Sequence, residues 1–234
     1  MRSVSRCFVI VVFVCFFGQV NAQIGFRAKY NMNSFPAWDN RIEENRGEEF
    51  DDIFQSGVEL GIDYQFRLKN VRIEFLSEFA IGLKMEPEVI HGFDLEFSYL
   101  AFMLHSHIYL FDLKRTNASQ SKTISAFKKN FFISLSTGIL DNRKLSHYSV
   151  LLNIPVPYKN TNLRMGIGAG YDLIETNQLT ITPSISYMYS PGIEFYSLPY
   201  SDRNNTNTSN LHQLQFQLRI GISLTHAKSE NPKL

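Results

Sequence analysis

The stretch SGVELGIDYQFRLKNVRIEFLSEF, Ser56 to Phe79, decides the fold. Large apolar side chains stand at every second position: Val58, Leu60, Ile62, Tyr64 and Phe66, then Val71, Ile73, Phe75 and Phe79. Charge fills many of the gaps, at Glu59, Asp63, Arg67, Arg72, Glu74 and Glu78. Successive side chains of a strand point to opposite faces, so strict alternation marks a strand with one greasy and one polar face. The stretch also folds back on itself. A two-residue turn at Lys69-Asn70 would set Phe66 opposite Ile73, Tyr64 opposite Phe75 and Leu60 opposite Phe79. All the large apolar pairs then share a face, and Arg67 lies diagonally near Glu74 on the other.

The pattern recurs along the chain. IGFRAKY sets Ile24, Phe26, Ala28 and Tyr30 against Gly25, Arg27 and Lys29. LRMGIGAGYDL, LTITPSISYMYS and QLQFQLRIGISL, beginning at Leu163, Leu179 and Gln213, alternate in the same way. Weaker cases run over Phe93–Met103, Phe131–Ile139 and Tyr148–Val156. No convincing helical period appears after the N-terminus, so the chain reads as all-β.

Two architectures use such strands. A soluble sandwich or lipocalin-like barrel turns the apolar face inward. A membrane barrel turns it outward to lipid and encloses the polar face. Three features favour the second. Several alternating stretches exceed the roughly 5–6 residues of soluble strands and reach the roughly 9–11 of a tilted membrane strand. The polar face is rich in Gly, Ser and Thr, which suits a crowded lumen. Tyr and Phe gather towards strand ends, as in interfacial girdles.

The N-terminus reads as an export signal: Arg2 and Arg6, then the apolar run Cys7–Phe17, then Val20-Asn21-Ala22 resembling an A-x-A cleavage site. The run falls short of the about 20 residues a spanning helix needs. Domains follow as signal peptide 1–22, barrel 23–224 and polar tail 225–234. Both cysteines, Cys7 and Cys15, lie in the signal, so disulfides and thiolate chemistry are not expected in the mature chain. A net charge of +1 over 234 residues gives no bulk attraction to nucleic acid.

The segments QIGFRAKYNMNSF, GVELGIDYQFRLKNVRIEF, LLNIPVPYKNTNLRMGIGAGYDL and LHQLQFQLRIGISL resemble the small outer-membrane β-barrel proteins of the Bacteroidota, the PorT-like group. The resemblance covers most of the mature chain and rests on alternation, glycines and turn placement. It implies a barrel of about 8–10 strands in the outer membrane of a Gram-negative cell, and hints at a secretion or envelope-assembly role. It carries over no functional residue. The chain departs from the terminal aromatic on which many such barrels end, since THAKSENPKL follows Leu224.

A closed antiparallel up-and-down barrel of ten strands is expected, with eight as the alternative. The ten are Gln23–Asn31, Gly57–Leu68, Val71–Met85, Gly92–Leu104, His105–Leu113, Asn130–Leu140, Leu145–Val156, Asn162–Leu173, Gln178–Tyr189 and Leu211–Leu224. Lys69-Asn70, Asp141–Lys144 and Glu175–Asn177 become periplasmic turns. Met32–Gln55, Lys114–Lys129 and Ser190–Asn210 become outer loops. Pro183 inside a strand removes a ladder bond and predicts a bulge.

The inward face carries Arg27, Lys29, Arg67, Arg72, Lys84, Arg164 and Arg219 against Glu59, Asp63, Glu74, Glu78, Asp94, Glu96 and Asp172. Seven meet seven, and buried charges are tolerated when paired. A plugged barrel with a salt-bridged interior is expected, in preference to an ion or proton path. Outside it, Asp39, Glu43, Glu44, Glu48, Glu49, Asp51 and Asp52, with Arg41 and Arg46, form an acidic loop. It matches no EF-hand spacing, so solvation is the plainer reading than calcium. Lys114, Arg115, Lys122, Lys128 and Lys129 would suit lipopolysaccharide phosphates or the acidic loop. SDRNNTNTSN (Ser201–Asn210) reads as a polar loop tip.

His105-Ser106-His107 is the one cluster that invites catalysis of the lipid A deacylase kind. Alternation sends both histidines to one face and Ser106 to the other, which spoils a Ser–His hydrogen bond. No third metal ligand is placed by sequence. No catalytic, cofactor or metal residue is therefore assigned. The expected role is a non-enzymatic scaffold or docking barrel whose partners are outer-membrane lipids, lipopolysaccharide and other envelope proteins. A lipid-acting hydrolase and a narrow channel are the alternatives.

Overall fold

The alternating stretches become strands, except that residues 150–156 of the weak case Tyr148–Val156 lie outside the described residues. The computed structural model describes residues 22–37, 40, 56–68, 71–84, 88–90, 93–111, 130–149, 160–176, 178–195 and 207–223. In chain order the strands are β1 (Ala22–Ser34), β2 (Ser56–Arg67), β3 (Ile73–Lys84), β4 (Glu88–Ile90), β5 (Phe93–Ile108), β6 (Phe131–Ser149), β7 (Asn160–Tyr171), β8 (Ile174–Glu175), β9 (Leu179–Phe195) and β10 (Asn207–Ser223). β4 only extends the edge of β5, and β8 pairs briefly with β9. The other eight run β10-β1-β2-β3-β5-β6-β7-β9, all antiparallel, and β9 pairs in turn with β10. The ring is closed, so the barrel wall has no open edge, as a membrane requires.

The polarity is inside-out. Phe26 is 53% exposed, and Leu60, Ile62, Phe79, Ile81, Ile139, Ile167 and Phe216 are likewise turned out. Arg27, Lys29, Glu59, Asp63, Glu78 and Arg164 are buried. A soluble barrel shows the opposite. Phe66 and Phe75 stack at 5.3 Å on the outer face near one rim, with Phe111 and Phe131 near the same end. Tyr30, Tyr187 and Tyr189 lie towards the other end, so outward aromatics mark both rims, with Phe26, Phe79, Phe102 and Phe216 in the belt between them.

The structure corrects the strand count from ten to eight. The expected pair Gly92–Leu104 and His105–Leu113 is the single strand β5, and Asn130–Leu140 runs on into Leu145–Ser149 within β6, with residues 150–156 outside the described residues. The phase does not change at His105. Tyr99, Ala101, Met103, His105 and His107 all face inward in one register. The impression of a break arises because the inward Ala101 and Met103 are apolar, giving an apolar run on both faces. Asp141–Lys144 is therefore no turn. It lies inside β6, where Ser98 pairs with Lys144 and Tyr99 with Asn142, leaving Arg143 as the extra residue of a bulge.

Sidedness changes with the count. β5 ends and β6 begins at the rim that carries the start of β1 and the end of β10. The segment 112–129 therefore joins strands at the termini-bearing rim, not at the rim of Met32–Gln55 and Ser190–Asn210 as expected. The latter span is also shorter than expected, because Phe195 still pairs with Asn207.

The founding hairpin keeps its faces and shifts its register by two. Phe66 lies opposite Phe75 and Arg67 directly opposite Glu74. The last ladder contact is Leu68 N–H to the Ile73 carbonyl at 3.1 Å, so the connection is longer than Lys69-Asn70. An even shift preserves the faces. It also places the Arg67 guanidinium against the Glu74 carboxylate.

Pro183 causes its irregularity on one side only. Pairing with β10 runs through Leu218–Pro183 without a break. Pairing with β7 stops at Gly170–Ser184 and resumes as Ile174–Ile181, so one extra residue is accommodated opposite the proline.

Candidate functional site: the charged lumen

Inward positions of β1, β2, β3, β5 and β10 carry the large polar side chains, and those of β6, β7 and β9 are mostly small: Ser134, Ser136, Gly138, Gly166, Gly168, Gly170, Ser184 and Ser186. Long side chains from one arc thus reach across to a thin opposite arc. A barrel of about eight strands has a bore that side chains just fill.

The central network has two anions that each gather cations from several strands. Asp63 accepts from Arg27 Nε at 2.7 Å and from Arg219 through Nε at 2.9 Å and Nη2 at 2.8 Å. This fork is the strong, planar form of the guanidinium–carboxylate pair. Gly25, across from Asp63 on β1, leaves the room: a Cβ there would stand 2.6 Å from both carboxylate oxygens. Glu59 holds Lys29, its cross-strand partner, and receives Arg164 Nη1 from β7 at 3.0 Å and the Tyr99 hydroxyl from β5 at 2.6 Å. Glu78 joins the two groups, with Lys29 Nζ at 2.7 Å and Arg27 Nη1 at 3.5 Å. Glu59 and Arg164 are both 0% exposed, so their mutual pairing offsets a desolvation cost that neither would tolerate alone.

Towards the outer loops a neutral ladder continues the network. Arg164 Nη2 donates to Gln213, Gln213 to Asn33, Gln215 to Asn31, and Asn31 to the Tyr99 hydroxyl. At that mouth Phe35, Leu140, Met188, Ile193 and Leu211 are buried. At the termini-bearing end a second ionic cluster forms. The Tyr109 hydroxyl lies 2.7 Å from Asp172 and 3.0 Å from Glu74, and Arg72 sits over its ring at 4.1 Å. Arg67 and Arg72 both reach Glu175, at 2.9 and 2.6 Å. Along the bore the described side chains run from an apolar mouth through the neutral ladder and the central ionic network to an ionic and aromatic cluster.

Among the described side chains the lumen and its rim carry Arg27, Lys29, Arg67, Arg72, Arg164 and Arg219 against Glu59, Asp63, Glu74, Glu78, Asp172 and Glu175. Of the expected seven and seven, six cations and five anions are described, and Glu175 makes the described set six to six. Glu175, read from sequence as a turn residue, joins the set. The side chains of Lys84, Asp94 and Glu96 lie outside the described residues, as do the acidic loop residues from Glu43 to Asp52 and the basic set Lys114, Arg115, Lys122, Lys128 and Lys129. Asp39 and Arg41 lie outside them too. Tyr99 and Tyr109 were missed because tyrosines read as girdle residues. The signal that would have found them is phase: Tyr99 on β5 and Tyr109 just past its end are both odd-numbered, in step with His105 and His107.

The histidines share one face, as expected, and it is the inward one; Ser106 faces away. His105 has another serine. Its Nε2–H donates to Glu78 at 2.6 Å, and its Nδ1 accepts from Ser136 on β6 at 2.7 Å. Serine, histidine and carboxylate in line are the parts of a nucleophilic triad. Two facts argue against chemistry. Ser136 points into a filled bore, and the neighbouring backbone N–H groups belong to the β5–β6–β7 ladders, which leaves none for an oxyanion. The triple is a structural tie between β3, β5 and β6. Ser136→Ala is expected to cost about 1 kcal/mol, the net worth of one hydrogen bond, in urea unfolding of the detergent-folded protein. It is expected to leave lipid A hydrolysis at the blank rate. His107 stacks on Phe132 at 4.0 Å. Among the described residues no group of His, Cys, Asp and Glu is placed to hold a metal.

No protein-family model matches the chain, and no curated protein does. Solved structures with similar backbones include Neisserial surface protein A, at 11% identity and TM-score 0.49 over 87% of this chain and 97% of that one. Ail, the attachment invasion locus protein of Yersinia pestis, is similar at 12% identity and TM-score 0.49, over 88% and 100%. The N-terminal β-barrel domain of Pseudomonas aeruginosa OprF follows at 10% and 0.38, over 86% and 99%. The membrane assignment rests on this chain's own polarity. Eight antiparallel strands close on an ionic interior and turn an apolar belt outward, which makes the protein a small transmembrane β-barrel of the outer-membrane type with a buried charge network.

Proposed function

We propose that the protein is a non-enzymatic scaffold or docking component of a Gram-negative outer membrane, exported by the signal at residues 1–22 and presenting its connecting segments to other envelope proteins. The observation that carries this reading is the buried charge network across the lumen. Among the described residues the bore is occupied by Glu59, Arg164, Tyr99 and their partners, all buried, which argues against a solute path or a substrate cleft through it. What remains available for function is the outer surface and the two rims. The sequence resemblance to the Bacteroidota PorT-like group points the same way, towards envelope assembly or secretion.

Two measurements test it. Refolded protein in planar bilayers is expected to show no steady conductance, and stable unitary currents would replace docking with transport. Affinity-tagged chain is then recovered from detergent-solubilised envelope, beside a variant whose residues 41–53 are replaced by a Gly-Ser linker. A partner held by the first and released by the second is expected. Recovery of no partner by either chain would overturn the docking role.

A further inference from the structure

On the outer wall, β6, β7 and β9 lie side by side with two rows of outward residues. Thr137, Met165 and Tyr189 make one row, and Leu135, Ile167 and Tyr187 the next. Between the rows runs a groove of about 380 Å³ whose floor is Ser136 and Gly166. The floor is backbone, because Ser136 turns its hydroxyl to His105 in the lumen and a Cβ on Gly166 would likewise point inward, against Met188. Its walls are apolar, with Leu135, Met165, Ile167 and Tyr187 all turned to the surroundings. Among the described residues no charged one lines it. The groove is continuous with the belt that faces the bilayer, so whatever fills it comes from the bilayer.

Its outer end is polar. His212 on β10 lies beside Tyr187 and Tyr189, with its ring centroid 5.2 Å from that of Tyr189 and its Nδ1 hydrogen-bonded to the Tyr187 hydroxyl. Two phenols and an imidazole at one level supply donors for phosphate or sugar oxygens, as interfacial aromatics do. That level is near the rim opposite the chain termini, which is the outer leaflet when both termini are periplasmic.

We infer that the β6–β7–β9 groove with the Tyr187–His212–Tyr189 cluster at its head is a binding site for the phosphorylated, acylated saccharolipid of the outer leaflet, one acyl chain lying in the groove. This rests on the membrane reading above and adds a ligand to it. The small outward residue Thr137 keeps the groove open, and the cluster orients the headgroup. Neither role touches the lumen.

The test uses the full mature chain folded in detergent, with heat-modifiable gel mobility confirming the barrel in every sample. Native mass spectrometry then follows titration with rough lipopolysaccharide and, separately, phosphatidylethanolamine. Wild type is expected to retain one lipopolysaccharide. Thr137→Trp, which fills the groove, is expected to weaken retention at least tenfold, and Met165→Phe to act in the same direction. Ile220→Phe, elsewhere on the belt, is expected to change nothing. Equal retention by wild type and both groove variants overturns the site, and equal retention of phosphatidylethanolamine overturns the choice of ligand. Failure of wild type to give a heat-modifiable band overturns the membrane reading instead, and the site with it.

Discussion

Asp63→Ala is expected to lower the unfolding free energy of the barrel by about 3–5 kcal/mol, the cost of leaving buried charge without its partner. The expectation comes from register. Arg27 and Arg219 stand directly across from each other on β1 and β10. Both are almost fully buried, and Asp63 is the anion between them. Without it two guanidinium groups face each other in the bore. Little else compensates: Glu78 stands 3.5 Å from Arg27 and already serves Lys29 and His105. One Arg27 nitrogen, Nη2, has no hydrogen-bond partner even with Asp63 in place. Removing both sides of the interaction is a different experiment. Asp63→Leu combined with Arg219→Met deletes the pair and leaves Arg27 to Glu78, so it is expected to recover a large part of the loss. Urea titration in detergent, read by heat-modifiable mobility and circular dichroism, checks both. A cost below about 1 kcal/mol for Asp63→Ala is the value of an exposed ion pair and would mean that water reaches the bore.

The two parts of this structure differ in how far the sequence reveals them. Alternation is a local property, so six of the eight long strands, their faces and the inside-out polarity are legible from stretches such as Ser56–Phe79, while β5 and β6 each read as two. The identity of the inward charges follows from the same phase, which is why the described members of the expected set are found at the lumen or its rim. Which charge meets which is set by closure of the ring, and no local pattern encodes it. Arg164 reaches Glu59 across 105 positions of sequence, and Tyr99 reaches the same carboxylate from a third strand. Ser136 displaces Ser106 as the partner of His105 for the same reason: adjacency in the sheet brought β6 beside β5. The count of ten failed where the lumen is locally apolar. Ala101 and Met103 obey the inward phase but not the inward chemistry, because Met103 occupies the space left by Gly138, whose absent Cβ would stand 2.7 Å from the Met103 sulfur. Polarity marks a lumen face only where the lumen contains polar partners.

Leu218→Arg is expected to destabilise the barrel by about 2–4 kcal/mol in a bilayer, and Ile222→Arg by about 0–1 kcal/mol. The argument is one of depth. Both side chains face outward on β10, at 46% and 48% exposure, so in water the two substitutions would be equally cheap. Their registers differ. Ile222 pairs with Ile24 and Leu179, two residues from the rim where the chain begins and ends, and an arginine there can carry its guanidinium to the headgroups. Leu218 pairs with Ala28 on one side and Pro183 on the other, well inside the belt between the Phe66–Phe75 girdle and the level of Tyr187. A guanidinium starting there has hydrocarbon in every lateral direction. Denaturant titration of the two variants in phosphatidylcholine vesicles and again in detergent micelles separates the effects. The gap between them is expected in vesicles and is expected to shrink in micelles, whose apolar layer adapts to the charge. Equal costs at the two depths would remove the lipid from the account and leave the apolar belt to be covered by protein.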